Sequence, residues 1–225
     1  MAIASGSFSE YVTIDAAMVI HKPEFLSMTA AATIPVAFLT AFYGLRHLAK
    51  MKKGDRVLVH AAAGGVGQAA IQLAQQVGAE VFATASLGKW ETVRSMGVQH
   101  IFNSRSLNFA DRIRELTQGE GIDIVLNSLA GEFVEASLSV LKPSGYFIDL
   151  GKGQLPSLSA DMTYAQVDLV ELCQQQPDLI QSMLQQIRQQ FIDRNYNHCP
   201  IVYSQFRNRL THFAPCSKRS ISAKL

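Results

Sequence analysis

The residues best suited to chemistry begin with the glycine turn Gly64-Gly65-Val66-Gly67. It follows a short apolar run, Val57-Leu58-Val59, and leads into Ala69, Ala70, Leu73, Ala74 and Val77 at helical spacing. Strand, glycine turn and helix in that order are the setting in which glycines cradle the pyrophosphate of a dinucleotide. Gly64 lets backbone approach the phosphates, and Gly67 lets the helix pack close to the strand. Free N–H groups and the positive end of the helix dipole, at Gly65 and Val66, supply the attraction. Ala62 stands where the G-x-G-x-x-G pattern has its first glycine, so the match is to the context and not to the strict motif.

A second group could choose between dinucleotides. The next apolar run is Phe82-Ala83-Thr84-Ala85-Ser86, with no acid before Glu91. An NAD enzyme usually places Asp or Glu at the end of this strand, to bind the ribose hydroxyls. Here Thr84 and Ser86 offer hydroxyls and Lys89 and Arg105 offer cations, a set that suits a 2′-phosphate and therefore NADPH. A third group closes two later runs: Asn127, Ser128 and Leu129 after one, Gly151 and Lys152 after the other. The Lys152 ammonium, flanked by glycines, can polarise a carbonyl or deliver a proton, and Asp168 can orient it or pair with it. His21, His47 and His60 have no Cys or Glu partner at metal-ligand spacing, so zinc is not expected. His60 reads as packed at the strand end, and Cys173 as a core residue.

The elements that must hold these groups alternate. Strands are expected at residues 57–59, 80–85, 100–102, 122–127 and 145–150, and helices at 68–77, 90–96, 109–117 and 132–141, the last stopped by Pro143. Short connections between alternating elements predict a doubly wound parallel sheet of Rossmann type, with right-handed crossovers and ligands outside the carboxyl ends of the strands. Before it, residues 7–23 read as irregular β structure through Phe8, Tyr11, Val12, Ile14, Val19 and Ile20. Two helical pieces follow, 29–33, with Thr29 as a candidate cap, and 37–50, separated by Pro35. After the sheet, residues 154–163 read as a loop and 179–192, beyond Pro177, as an amphipathic helix whose glutamines face solvent.

Bulk properties narrow the function classes. A chain of 225 residues with 48% hydrophobic and 17% charged residues can bury a large core. A net charge of +2 gives no reason to expect nucleic acid or an anionic membrane as partner. No apolar run reaches the roughly 18 residues that cross a bilayer, and Met1 to Gly6 do not resemble a signal peptide. The three cysteines, Cys173, Cys199 and Cys216, are scattered, which favours a reducing, cytoplasmic setting.

Three segments carry a family likeness: HAAAGGVGQAAIQLAQ, NSLAGEFVEASLSVLKPSGYFIDLGK and MTYAQVDLVEL, with AATIPVAFLTAFYGL ahead of them. They resemble the enoylreductase domain of modular (type I) polyketide synthases, in the zinc-independent medium-chain dehydrogenase/reductase superfamily. The likeness implies a Rossmann NADP-binding domain over residues 28–175, a partial β-rich GroES-like substrate domain in residues 1–27, and a C-terminal helix and tail, 176–225, returning towards the latter. It implies NADPH-dependent reduction of the α,β-double bond of an enoyl-thioester on an acyl carrier protein, with Lys152 and Asp168 as the proton-transfer pair. The implied partners are the carrier protein and other synthase domains, with a second copy of the chain as a further candidate. Two alternatives stay open: a freestanding NADPH-dependent quinone or alkenal reductase, and a non-catalytic NADPH-binding remnant. The family has a longer upstream segment, so Met1 is expected to begin inside the substrate domain and the short chain to reduce thioesters poorly. Residues 211–225 are basic and without pattern. A one-base shift over residues 214–224 can restore the family's ending, so a frameshifted gene end is expected.

Overall fold

A computed structural model describes residues 1–4, 6, 11–151, 159 and 161–199. Its centre is a six-stranded sheet, all pairs parallel, in the order β3-β2-β1-β4-β5-β6. The strands are β1 (Arg56–Val59), β2 (Glu80–Ala85), β3 (His100–Asn103), β4 (Ile122–Asn127), β5 (Leu141–Asp149) and β6 (Thr163–Gln166). The order reverses between β1 and β4, which opens a crevice at their carboxyl ends.

The helices are α1 (Met28–Ala32), α2 (Pro35–Phe42), α3 (Gly65–Val77), α4 (Trp90–Ser95), α5 (Phe109–Leu116), α6 (Glu132–Leu138), α7 (Leu169–Gln175) and α8 (Pro177–Ile192). Strand side chains alternate between two apolar layers with a period of two, except at the register shift between Ile122 and Ile124. Val57, Val59, Val81, Ala83, Ile124, Leu126 and Ile148 pack with α1 to α4, α7 and α8. Leu58, Phe82, Ile122, Val125 and Phe147 pack on the other face with Phe109, Ala110 and Ile113 of α5 and with α6. The sheet is therefore covered on both sides, which is why its strands read as nearly continuous apolar runs.

Several boundaries differ from the sequence reading, each for a physical reason. Ser27 caps α1, accepting from Ala30 N at 3.1 Å, and Thr29 lies inside the helix. Pro35 starts α2 at its first turn, where a missing N–H costs nothing, and Tyr43–Leu48 continues as a π-helix in place of a single helix to residue 50. Helix α3 begins at Gly65, inside the glycine turn and not after it. Helix α6 ends at Leu138, because Leu141 already pairs with Ile122 in the sheet. Pro143 thus lies in β5, beside the register shift between Ile122 and Ile124, where no ladder donor is required. Strand β6 and helix α7 were not expected. The N-terminal segment holds a 3₁₀ turn, Ala16–Met18, and one antiparallel bridge, Ala2 to Val19, but no strand among the described residues.

The expectation about apolar length also needs correcting. Met28–Leu48 is a helical stretch of 21 residues, long and apolar enough to cross a membrane. Its residues Ile34, Phe38, Leu39, Ala41 and Leu45 are fully buried in this fold, so it serves as a core helix. Phe38 packs edge-on to Phe191 of α8 at 4.9 Å between centroids. Helix α8 also reaches the N-terminal segment, with Arg188 Nε donating to His21 O at 3.1 Å.

Candidate active site

The glycine turn is built by backbone constraints on every side. His60 N donates to Leu126 O at 3.1 Å and Ala62 N to Thr84 O at 2.9 Å, pinning the turn to β4 and β2. Ala61 takes the left-handed conformation at φ 49°, and Gly64 N closes back on Ala61 O at 2.8 Å. Gln68 Nε2 holds Ala63 O at 2.9 Å. Gly64 caps α3 with no side-chain hydrogen bond to its first turn, and Gly64 and Gly65 are exposed while Val66 is half-buried. Uncapped N–H groups at an exposed helix start are what a pyrophosphate needs. Gly67 is buried, and a Cβ there would lie 2.6 Å from Ala61 O and Ala62 Cα. The turn and the first turn of α3 are thus in backbone contact, which fits the dinucleotide cradle.

Behind the turn lies a buried hydrogen-bond chain. His60 Nδ1 meets Thr84 Oγ1 at 2.9 Å and Nε2 meets Ser137 Oγ at 2.8 Å. Ser137 spends its own hydrogen on Phe133 O at 2.6 Å, so it accepts from His60 Nε2–H, and Thr84 then donates to the bare Nδ1. Burial drives the His60 pKa down to about 3, so the ring is neutral at physiological pH. His60 is indeed packed at the strand end. Thr84 is fully buried with its hydroxyl committed to His60, so it supports the turn and does not face a ligand. Ala62 is likewise fully buried and contributes backbone alone.

The proposed dinucleotide selector lies at the neighbouring strand ends. Ala85 O accepts from Ser104 N at 3.0 Å and from Trp90 Nε1 at 3.1 Å, which draws the loop after β3 beside the end of β2. Arg105 N is fixed by Asn103 Oδ1 at 3.0 Å. Ser86 is half-buried, and Lys89 and Arg105 are exposed. Among the described residues neither cation has an ion-pair partner.

At the other side of the crevice the sequence reading missed a residue. Asp149, the last of β5, is 6% exposed, yet its carboxylate accepts from Asn127 Nδ2 and Gly151 N, both at 3.0 Å, and from the Tyr164 hydroxyl at 3.1 Å. Burial, then the Asp149 charge, raises the Tyr164 pKa. Asn127 is fully buried, and its amide also clamps Leu129, donating to its O at 2.9 Å and accepting from its N at 3.1 Å. Ser128 is left exposed between them, and Gly151 is half-buried. A polar residue closing an apolar strand was the available signal for Asp149.

Lys152 lies outside the described residues, as do Cys216, the loop residues 154–158 and 160, and the tail 211–225. Asp168 caps α7, accepting from Val170 N at 2.9 Å and Glu171 N at 3.1 Å. Among the described residues no three His, Cys, Asp or Glu side chains gather as a metal site. Burial raises the pKa of half-buried Cys173 and of buried Cys199, which does not suit either as a nucleophile.

Comparison with known proteins agrees with the fold. A family model described as zinc-binding dehydrogenase matches residues 65–191. The chain is 44% identical over 216 residues to mycoketide-CoA synthase of Mycobacterium tuberculosis, covering 92% of the chain but 5% of that synthase. It resembles the crystal structure of CurK enoyl reductase at 49% identity and a TM-score of 0.80, covering 83% of this chain and 58% of that one. The nucleotide-binding subdomain of the enoylreductase domain of PpsC from Mycobacterium tuberculosis is 39% identical, with a TM-score of 0.68 over 73% of this chain and 97% of that one.

Proposed function

This chain belongs to the enoylreductase domains of modular polyketide synthases, in the medium-chain dehydrogenase/reductase superfamily, and we propose that it reduces the α,β-double bond of an enoyl-thioester on an acyl carrier protein with NADPH. The observation that carries the reading is the exposed, uncapped start of α3, held in backbone contact with the turn at Gly67. Relatives described as an enoyl reductase and as part of an enoylreductase domain support the reaction class.

In this reading Gly64, Gly65, Val66 and Gly67 hold the pyrophosphate by backbone N–H groups. Ser86, Lys89 and Arg105 take the 2′-phosphate, and the acid that would repel it at the end of β2 is missing. Ser128, Leu129 and Gly151 line the crevice at the nicotinamide end. NADPH, when bound, supplies the hydride that goes to the β-carbon of the enoyl chain. Lys152 polarises the thioester carbonyl or delivers the proton to the α-carbon, and Asp168 orients the lysine. Orientation and exclusion of water supply much of the rate in such a site. The partners are the carrier protein and neighbouring synthase domains, and the setting is the cytoplasm.

The test is a cofactor titration on this chain, followed by turnover with an enoyl-thioester in the whole synthase. NADPH bound more tightly than NADH, and oxidised in step with thioester reduction, is the expected result. Oxidation with a quinone alone would favour a freestanding reductase, and tight binding without turnover a remnant.

A further inference from the structure

We infer that Asp149 is a positioning residue for the reduction: its carboxylate fixes the two backbone segments that close the nicotinamide side of the crevice. The inference rests on the reductase reading. A carboxylate that is almost fully buried is costly unless donors surround it. Each donor to Asp149 is neutral, and each belongs to a different segment. Oδ1 takes Asn127 Nδ2 from the end of β4 and Gly151 N from the chain just past β5. Oδ2 takes the Tyr164 hydroxyl from β6. One side chain thus ties the carboxyl ends of β4 and β5, on the edge where ligands of this fold bind, to Tyr164 within the neighbouring β6.

The network does not end at the carboxylate. Oriented by Asp149, Asn127 uses both ends of its amide to fold Leu129 back over the strand end, which leaves Ser128 exposed at the crevice. Gly151 is held from both sides, its N by Asp149 and its O by Gln166 Nε2 at 2.6 Å. Gly151 is the residue before Lys152 in the chain. A leucine at 149 would leave the fully buried Asn127 amide and the Gly151 N–H without their acceptor, so the acid is tied to the order of both segments. The acid orders backbone that the reaction uses.

The geometry also says which substitution should be harmless. In Asp149→Asn the amide oxygen can stay at the Oδ1 position and keep both Asn127 and Gly151. The new NH2 then faces Tyr164, whose hydroxyl can turn and accept. Asp149→Leu removes every acceptor at once.

Two readouts test this. Amide hydrogen exchange on the chain itself should show Leu129 and Gly151 protected in the wild type and in Asp149→Asn, and exposed in Asp149→Leu. In the whole synthase, kcat for an enoyl-thioester, counted per NADPH-binding site, should fall about 10- to 100-fold in Asp149→Leu, the range for misplacement near 1 Å. NADPH affinity should change by less than about threefold, because the pyrophosphate cradle is elsewhere. Asp149→Asn should restore both readouts. Should Asp149→Leu fail to fold, Tyr164→Phe, which deletes the Oδ2 donor alone, should still lower kcat by a few-fold and loosen Gly151. Unchanged kcat per site in Asp149→Leu or, if that variant does not fold, in Tyr164→Phe overturns the inference, as does Asp149→Asn as damaged as the leucine variant. A wild-type synthase that binds NADPH yet leaves enoyl-thioesters untouched overturns the reductase reading and the inference with it.

Discussion

Replacing Gly67 with alanine probes the cradle with a single carbon. That Cβ would stand 2.6 Å from Ala61 O, 2.6 Å from Ala62 Cα and 2.7 Å from Ala62 O. All three are backbone atoms, so no side chain can swing away. To reach the 3.4 Å of ordinary contact from 2.6 Å, the turn and the helix start must separate by about 0.8 Å. Overpacking of this kind costs ~1–3 kcal/mol. The same movement carries the α3 donors away from the pyrophosphate, so NADPH affinity should drop about 10- to 100-fold. Gly65→Ala is the control: its Cβ would meet only Ala37 Cβ, at 3.6 Å. Its stability should hold, so any loss of affinity there reports close approach of the cofactor and not a damaged fold. Gly67→Val should abolish binding. The assays are urea unfolding and NADPH fluorescence titration. A Gly67→Ala protein with unchanged midpoint and unchanged affinity would refute the packing argument.

Lys89→Ala with Arg105→Ala should erase the preference for NADPH over NADH, each charge-assisted phosphate contact contributing about 1.5–3 kcal/mol; equal cofactor affinities in the wild type would contradict the assignment. His60 makes stability depend on pH. Its folded pKa, about 3, lies below the ordinary 6.5, so between these values the unfolded chain binds the extra proton. Stability is therefore complete above pH 6.5 and falls by about 1.4 kcal/mol per pH unit below it. His60→Gln should lose less stability than the wild type between pH 7 and pH 4.5, by roughly 2–3 kcal/mol, and equal losses in urea melts would contradict the buried neutral ring. Lys152→Ala should lower the rate of thioester reduction while leaving NADPH affinity nearly unchanged. Asp168→Asn keeps an equally good cap for α7, so a rate loss there would report its charge and not the helix; full activity in both variants would remove the pair from the mechanism.

The doubly wound sheet was legible because Val57-Leu58-Val59, residues 80–85 and residues 122–127 are short apolar runs separated by helical spacing and glycine stops. Those signals are local. The cradle was legible for the same reason, since strand, turn and helix are contiguous. What stayed hidden depends on pairing across the sheet. Leu141-Lys142-Pro143-Ser144 reads as a helix end, and only its pairing with Ile122 makes it strand. Thr163–Gln166 is too short and too polar to announce an edge strand, and becomes one by pairing with Tyr146 to Asp149. The parts played by Thr84 and Asn127 inverted for a similar reason. Each hydroxyl or amide looked available in sequence, but His60 and Asp149, 24 and 22 residues away, take it up. Asp168 reads as a partner for Lys152, and its capping of α7, which the Asp168-Leu169-Val170-Glu171 spacing signals, went unread.

The central claim is tested most directly in the whole synthase, by following NADPH oxidation and product together, with an enoyl-thioester on an acyl carrier protein as substrate and deuterium on the transferable position of the NADPH. The account predicts one saturated thioester per NADPH consumed, with the deuterium on the β-carbon, and a much weaker reaction with NADH. NADPH consumed with a quinone while the thioester stays unsaturated, or deuterium found anywhere but the β-carbon, would contradict it.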